Sequence, residues 1–436
     1  LLTRAPFARV LPSDACPVRL SFTLKTPESI FALKYSAMAL TLLSSPPEPC
    51  LSHHPSFWRV QSDDPSEPNL RVDATIRNGM ETVGIDSLPA DASGIVAHEL
   101  SEYFKTLFQP SFTFPDTGQP FRVVPENIKH LGIIFEEFSG TPPTEVYQLD
   151  IQEHPVIYGR IPDYLHTWFY RNYNSFSDYL TLTKNFLTFW PSSHKVTKTQ
   201  TEKLFFCNWW WTSGHTLKCY VTLRFTDGTS SARYQAGNET IPMARQYLVW
   251  EFHTGYTALA IGAYIKLYHQ GKTVESYEVE IGISPSDIRS AKHTYIIDND
   301  YYPNRREFIF RNPLGGYDTF VATGKAETIS EYEPEIIDEL TWYNASGNAR
   351  KILRTTFGET IECNSGFVSK DIMAAMPQFF ESDDVYEIVS GKLYPVGFPK
   401  QQITRKTDRN GLSYFTFTYS YMPIHKIETA QSGSSE

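Results

Sequence analysis

Residues 306–325 read REFIFRNPLGGYDTFVATGK, two apolar and aromatic-rich runs joined by a proline and a pair of glycines. A nucleotide-binding loop needs its glycines between a strand and a helix, so that backbone N–H groups and the helix N-terminus face the phosphate. Here the run that follows the glycines is again rich in Phe, Tyr and Thr, which favour strands. The stretch therefore predicts the corner of a β-hairpin, built by Asn312, Gly315, Gly316 and Asp318, with Arg311 facing Asp318 across the turn.

The composition favours a globular protein made mainly of strands. The chain has 436 residues, which predicts two or three domains, and it is 41% hydrophobic and 20% charged. Aromatic residues reach 14%, which suits pleated sheet surfaces, and 29 prolines argue against long helices. We therefore expect a mainly β, multidomain fold with antiparallel, β-sandwich-like domains and a few inserted short helices.

The clearest strand is TLKCYVTLRFTDG, residues 216–228. Its apolar side chains alternate with polar ones, and Asp227-Gly228 is a turn signal. Further strands are predicted in 127–140, 145–159, 246–255 and 384–398, and a hairpin over 263–283 has its corner at Gln270-Gly271. The residues expected on one face of the 216–228 strand are Leu217, Cys219, Val221, Leu223 and Phe225.

Three short segments read as helices instead. In 93–108 the apolar residues fall on one helical face, with Ser93 as the cap, and the polar face carries His98, Glu99 and Glu102. Pro162 can open a second helix, and Pro377 limits a third within 369–382. The predicted domains are 1–195, β-rich with inserted helices; 196–290, a sandwich of immunoglobulin-like size; 291–428, a β domain with hairpins, including one at Asn410-Gly411; and a disordered tail, 429–436.

No pattern in the sequence indicates an enzyme, a cofactor site or a metal site. His98, Glu99 and Glu102 lack the second histidine of a zincin helix, and no nucleophile elbow is present. The loop Asp298-Asn299-Asp300 is a weak calcium signal. The five cysteines, Cys16, Cys50, Cys207, Cys219 and Cys363, lack zinc-ligand spacing and are expected to be buried or reduced, although a bridge between Cys207 and Cys219 stays open.

Two aromatic groups are candidate contact surfaces. Trp209, Trp210 and Trp211 follow one another, and because strand side chains alternate between faces, they cannot all be buried in a half-exposed strand. This favours an inter-domain seam or a fully buried strand, with a sugar-stacking or protein-binding patch as the alternative. The second group is a row on one face of the last strand, Phe415, Phe417, Tyr419 and Tyr421.

Charge and hydropathy limit the partners. The net charge of −10 argues against a duplex DNA partner, which requires a basic face. The most apolar early stretch, 29–45, is shorter than the ~20 residues that span a bilayer, so no membrane insertion is expected.

Three stretches, 185–206, 308–325 and 385–421, resemble structural proteins encoded by tailed bacteriophages and prophages of gut-type bacteria. The similarity covers roughly residues 185 to 425 and includes the Arg-Asn-Pro-Leu-Gly-Gly-Tyr-Asp-Thr-Phe hairpin and the final aromatic hairpin. Its motifs are structural, so it supplies no catalytic residues. The resemblance implies a tail or baseplate component of a virion, made in the host cytoplasm, that assembles with itself or with other tail proteins and has a host surface glycan as a further potential partner. The alternative is a secreted or surface carbohydrate-binding protein that uses exposed tryptophans.

Overall fold

The structure, a computed structural model, describes residues 40–108, 121–209, 216–236, 241–242, 247–339, 349–399, 405–407 and 413–422. These residues form mostly β-strands, arranged in several largely antiparallel sheets, with a few short helices. The predicted fold class is thereby confirmed.

The strands are numbered in chain order. β1 to β9 are Thr41–Ser44, Cys50–Leu51, Phe57–Gln61, Arg71–Asn78, Glu81–Pro89, Ile95–Glu99, Phe121–Val123, Ile128–Ser139 and Thr144–Ile157. β10 to β18 are Ser193–Val196, Lys203–Cys207, Thr216–Phe225, Tyr234–Gln235, Ile241–Pro242, Val249–His253, Val274–Ser284, Asp287–Ile288 and His293–Ile297. β19 to β26 are Arg306–Arg311, Tyr317–Ala322, Ala326–Glu339, Ala349–Asn364, Val385–Val389, Lys392–Gly397, Arg405–Thr407 and Ser413–Tyr421. The helices α1 to α6 are Ser101–Thr106, Asp163–Asn172, Phe176–Thr181, Ile261–Tyr268, Lys370–Ala375 and Pro377–Phe380.

The chain divides into two compact units. Of the described residues, the first unit contains 40–46, Pro55–Tyr103 and His130–His154, and the second contains Pro47–His54, 104–108, 121–129 and everything described from Pro155 onward. The three-domain boundaries expected from the sequence stay predictions. In the second unit, β10 pairs in parallel with β18, so strands from either end of the segment 193–297 lie side by side.

The first unit is built from two small sheets. β1, β3 and β6 form one of them, and β4, β5, β8 and most of β9 form the other. Val72, Ala74 and Ile76 alternate along β4 and are fully buried, as are Ile133 and Phe135 on β8. This alternation is the ordinary signature of a sheet with one face against a core.

The second unit contains a β-sandwich. One layer is the sheet β10-β18-β16-β12-β13, and the facing layer is the three-stranded sheet β11-β15-β7. The predicted inward face of β12 is confirmed, because each of its five apolar residues is at most 1% exposed. They share one core with residues of the facing layer, namely Leu204, Phe206, Trp250, Phe252 and Phe121.

The three-stranded sheet is covered on its other face as well. Phe205, Cys207 and Val249 point away from the sandwich core and pack with Ile309, Leu314 and residues of α2 and α3. A strand that is buried on both faces reads as a continuous apolar run, which is what LFFC in β11 shows.

The largest sheet of the second unit has the order β20-β19-β23-β24-β26-β22-β21, with β25 paired to β26. One face packs under α5 and α6, through side chains that include Phe308, Phe310, Phe320, Phe379 and Phe417. The predicted hairpins over 306–322 and 385–397 are confirmed. The predicted helix limited by Pro377 is present as α5, and a second short helix, α6, begins at Pro377 itself.

Two predicted elements are wrong. The helix expected over 93–108 begins only at Ser101, because Ile95–Glu99 is the strand β6 paired with β3. The first arm of the hairpin expected over 263–283 is the helix α4, because Ile261, Tyr264 and Ile265 have helical spacing and face the sandwich core. The corner at Asn410-Gly411 and the tail 429–436 lie outside the described residues.

Candidate functional site

The corner of the β19–β20 hairpin is organised by Asn312. Its carboxamide oxygen accepts hydrogen bonds from the N–H groups of Leu314 and Gly316, both at 3.0 Å. Its amide nitrogen donates to the carbonyl of Leu187 at 2.9 Å and to the carboxyl of Asp318 at 3.1 Å. Both ends of this side chain are therefore used inside the protein.

The two glycines allow close packing at the corner. Gly315 has a φ of +82°, and a Cβ there would lie 2.8 Å from the carbonyl oxygen of Tyr158. A Cβ on Gly316 would lie 2.9 Å from the ring of Phe205. The N–H of Gly315 donates to the backbone carbonyl of Asn312 at 3.0 Å, so the N–H groups of both glycines are occupied within the turn. This arrangement leaves no row of free N–H groups for a phosphate.

Arg311 and Asp318 do not pair across the turn. Arg311 donates to Asp384 from Nε at 2.8 Å and to the hydroxyl of Tyr317 from Nη2 at 2.6 Å. Asp318 points inward and accepts a hydrogen bond from Thr188 at 2.6 Å. The two side chains lie on opposite faces of the hairpin, because Arg311 is paired with Tyr317 and Asp318 is the next residue along that strand.

Asp318 belongs to a buried group of ionisable side chains. Burial raises the pKa of Asp318 to about 7, although the hydrogen bonds from Thr188 and Asn312 act in the opposite direction. Nearby, His194 Nε2 lies 3.4 Å from the Glu202 carboxylate. Burial lowers the pKa of His194, but the hydrogen bond and charge of Glu202 outweigh it, so the pKa is raised overall. These groups are enclosed in the core, and a substrate would have no access to them.

The tryptophan run is only partly described. Trp209 is partly buried and packs against the sandwich core, and Trp210 and Trp211 lie outside the described residues. Of the C-terminal aromatic row, Phe415 and Phe417 are 1% exposed and Tyr419 is fully buried. These three side chains are core residues of this chain, so the sequence-based interpretation of them as a contact surface is wrong. Tyr421, at the end of the row, is 41% exposed.

A different element exposes apolar side chains, the arm formed by β21 and β22. These two strands pair with each other along their whole length, from Ala326↔Cys363 to Glu339↔Ala349, whereas β26 pairs only with Ile361–Asn364 at the base of β22. Every residue of the range 327–336 is exposed, as is every described side chain of 352–359. Beyond its base, the arm therefore has neither face covered by the described part of the chain.

The two faces of the arm differ in polarity. On one face Tyr332 is 68% exposed and lies opposite Phe357, which is 56% exposed, with the ring centroids 5.3 Å apart. Ile361, at the base of the same face, is buried in the core under α5 and α6. The other face carries Glu331, Glu333 and Glu335. The apolar side of the sheet thus continues from the core onto an uncovered arm.

Sequence reasoning missed this arm. The segment AETISEYEPEIIDE, 326–339, alternates acidic with apolar or hydroxyl residues, which is a strand pattern. Its many glutamates reduce the average hydrophobicity and make the segment read as a polar loop. The alternation of residue types with a period of two is the signal from which this strand could have been predicted.

The other sequence candidates have structural roles. His98 is fully buried on β6, with Nδ1 2.8 Å from Asp86, so its interpretation as part of a solvated helix face is wrong. Glu99 accepts hydrogen bonds from the N–H groups of Ser56 and Ser101, the latter at the start of α1. The described cysteines are buried thiols that form no disulfide, and they are Cys50, Cys207, Cys219 and Cys363.

Asp298 and Asp300 accept hydrogen bonds from the hydroxyl of Tyr302. Across the part of the chain that the structure describes, no group of three His, Cys, Asp or Glu side chains is placed to hold a metal ion. Within the same residues, no helix has both the length and the apolar character needed to cross a membrane.

Comparisons with known proteins leave the family open. No family model matches the chain, and no curated protein matches it. Among solved structures, the chain is similar to one described as "Biofilm associated protein - BSP domain", with 9% sequence identity and a TM-score of 0.14. The match covers 83% of this chain and spans 64% of the length of the other. At that TM-score the likeness carries no argument about fold or function.

Proposed function

We propose that this chain is a non-catalytic structural subunit of a phage or prophage virion, a component of the tail or baseplate, which assembles through the β21–β22 arm. The observation that carries the proposal is the uncovered apolar face of the arm. The resemblance of residues 185–425 to tail-associated structural proteins supports the virion assignment. We expect synthesis in the host cytoplasm and partners that are copies of this chain or other tail proteins.

A two-stranded ribbon with both faces in water is marginally stable by itself. Tyr332, Ile336, Ile352 and Phe357 are each more than half exposed, and large apolar side chains clustered in this way mark an interaction surface. Covering the exposed halves of Tyr332 and Phe357 removes about 200 Å² from water, which contributes about 5 kcal/mol. A protein partner that covers this face therefore stabilises the arm.

We expect a second copy of this chain to cover the apolar face of the arm. β21 is the edge strand of its sheet and carries four glutamates within 327–335, at positions 327, 331, 333 and 335. Two such edges placed side by side would repel each other, which disfavours a symmetric edge-to-edge dimer. The arm of one copy can instead lay its apolar face on a different surface of the next copy. Such a head-to-tail contact closes into a ring when the rotation permits.

The test is the mass of the full chain at micromolar concentration, measured by light scattering and analytical ultracentrifugation. We expect a homo-oligomer for the wild type and a monomer for the double variant Tyr332→Ser with Phe357→Ser, because the loss of about 5 kcal/mol weakens association more than a thousandfold. The matched control is Glu331→Ser with Glu333→Ser on the opposite face, which should remain oligomeric. All four side chains are exposed, so the melting temperature of the monomer should change little.

A wild-type chain that stays monomeric, both alone and when mixed with the proteins encoded by the genes adjacent to its own, would refute the assembly proposal. A wild-type chain that binds only one of those proteins would replace the second copy with that protein as the occupant. The tryptophan-based carbohydrate-binding alternative gains no support from Trp209, since that side chain packs on the core.

A further inference from the structure

The three-stranded sheet β1-β3-β6 of the first unit has one face in the core and one face outside it. Trp58, Val60 and Val96 point inward and are at most 2% exposed. Because side chains alternate along a strand, the residues between them point outward. Two of these outward residues are Phe57 on β3, which is 56% exposed, and Ala97 on β6, which is also exposed. The described part of the chain therefore leaves apolar side chains on this outward face uncovered.

A groove lies on the outward face, where it meets the end of β5. It is lined by Arg59 on β3, by residues 95–97 on β6 and by residues 88–91. Its volume of ≈ 430 Å³ is within the ~300–1,000 Å³ of sites that receive a drug-sized molecule, so it has room for several side chains of a peptide. Six of its eight lining residues are apolar, which suits an apolar peptide segment.

The two charges in the lining have opposite signs and belong to Arg59 and Asp91. The Asp91 carboxylate accepts hydrogen bonds from the N–H groups of Ser93 at 2.8 Å and Ile95 at 2.9 Å. This carboxylate is therefore used within its own turn. A peptide in the groove meets a lining without net charge, and apolar contact decides what binds there.

The described part of the chain begins close to this groove. Leu40 is 5% exposed, and the next residue, Thr41, starts β1. Thr41 lies opposite Gln61 on β3, and Gln61 lies opposite Ile95 on β6. Neighbouring strands are ~4.8 Å apart, so Thr41 is ~10 Å from Ile95 in the lining. Ten residues can extend over ~33 Å, so the residues just before Leu40 are long enough to reach the whole groove.

The segment that precedes Leu40 has the composition that the groove requires. Residues 30–39 read IFALKYSAMA, in which eight of ten residues are apolar and Lys34 is the one charged residue. A cluster of large apolar side chains is rarely left in water. A segment tethered this closely also has an effective concentration in the millimolar range, so it occupies the groove ahead of a separate molecule.

We propose that residues 30–39 of the same chain occupy this groove and cover the outward face of the sheet β1-β3-β6. The surface is then closed to other proteins in the intact chain, and it opens when the segment is displaced or removed. The proposal is independent of assembly through the β21–β22 arm, because the groove belongs to the first unit and the arm to the second.

The first experiment is hydrogen–deuterium exchange of the full chain, followed by mass spectrometry at low and at high micromolar concentration. We expect the amides of 30–39 to exchange at least about tenfold more slowly in the wild type than in the double variant Phe31→Ser with Leu33→Ser, because the variant loses its apolar contacts with the groove. The matched control is Lys34→Ser, which keeps the apolar side chains and should exchange as the wild type does.

Two further measurements test the groove itself. Ala97→Glu places a charge in the lining and should accelerate exchange of 30–39, whereas Thr82→Glu, at an exposed position on β5 outside the groove, should not. A benzophenone amino acid in place of Leu33 should crosslink on illumination to residues 57–61 or 88–97 of the same chain.

Three results would overturn the proposal. The first is exchange of 30–39 in the wild type at the rate of an unstructured peptide. The second is protection or crosslinking that appears only at high concentration and joins two chains, which would assign the groove to a second copy. The third is protection of 30–39 that Ala97→Glu leaves unchanged, with crosslinks only to residues outside the groove.

Discussion

Replacing Asp318 by asparagine tests the electrostatics of the hairpin corner most directly. The pKa of a free Asp side chain is ~3.9, and burial raises the pKa of Asp318 to about 7 in the folded protein. Between these two values the folded chain retains a proton that the unfolded chain has released, so stability falls as the pH rises from about 4 to about 7. A difference of about 3 pKa units corresponds to a loss of about 4 kcal/mol above pH 7.

An asparagine side chain at this position carries no charge at any pH, and its carbonyl oxygen can still accept the hydrogen bonds from Thr188 and Asn312. We therefore expect Asp318→Asn to increase the free energy of unfolding by up to about 4 kcal/mol at pH 8 and to change it little at pH 4. The assay is urea-induced unfolding followed by tryptophan fluorescence over this pH range.

Two other ionisable groups, Glu202 and His194, also affect the pKa of Asp318. Glu202 raises the pKa of Asp318 and His194 lowers it, and both remain in the variant. Asp371→Asn, at an exposed carboxylate in the first turn of α5, is the control and should leave the curve unchanged. The reasoning fails if Asp318→Asn is as pH-dependent as the wild type, or less stable than the wild type at pH 8.

Two further substitutions test the packing around the corner and in the last sheet. Gly315→Val should lower the free energy of unfolding by at least about 2 kcal/mol, because the backbone there is left-handed and a Cβ would contact the Tyr158 carbonyl. Titration of the wild type with ATP or NAD should show no binding. Saturable nucleotide binding that this substitution abolishes would contradict the hairpin interpretation. Phe417→Ala should lower the free energy of unfolding by about 3–5 kcal/mol without changing the oligomeric state, whereas a near-neutral change in stability with loss of assembly would restore the C-terminal row as a contact surface.

The parts of the fold that could be predicted are those in which local pattern and tertiary burial agree. Along β12 the period of two in the sequence is the period of burial, and Asp227-Gly228 supplies the turn with a glycine at φ +79°. The hairpin β23–β24 is similar, since Ser390 and Gly391 both have positive φ values, as a tight hairpin turn requires. In such segments a single short window contains all the information.

Prediction failed where two patterns overlapped. The apolar residues of 95–107 are spaced as on one face of a helix. Ile95–Glu99 nevertheless pairs with β3 as a strand, because the tertiary pairing overrides the local preference for a helix. In α4 the spacing of Ile261, Tyr264 and Ile265 was a usable helical signal, hidden by the β-forming character of Ile and Tyr. A cleft lined by His53, Tyr158, Arg160 and Asn312 could not be predicted, because its lining residues come from four separated segments near residues 53, 159, 312 and 380.

The three-stranded sheet at the middle of the second unit constrains the order in which the chain can fold during synthesis. β7 is an edge strand whose partner is β15, and Val123 is opposite Trp250, more than a hundred residues later in the chain. At ~5–20 residues per second a ribosome needs ~5–25 s to cover that interval, during which Phe121 has neither its partner strand nor its core. The first unit is different, since its last described segment ends at His154. We therefore expect the first unit to fold before β15 has been synthesised, while β7 is still unpaired. Any nascent fragment that stops before Val249 should need a chaperone to remain soluble.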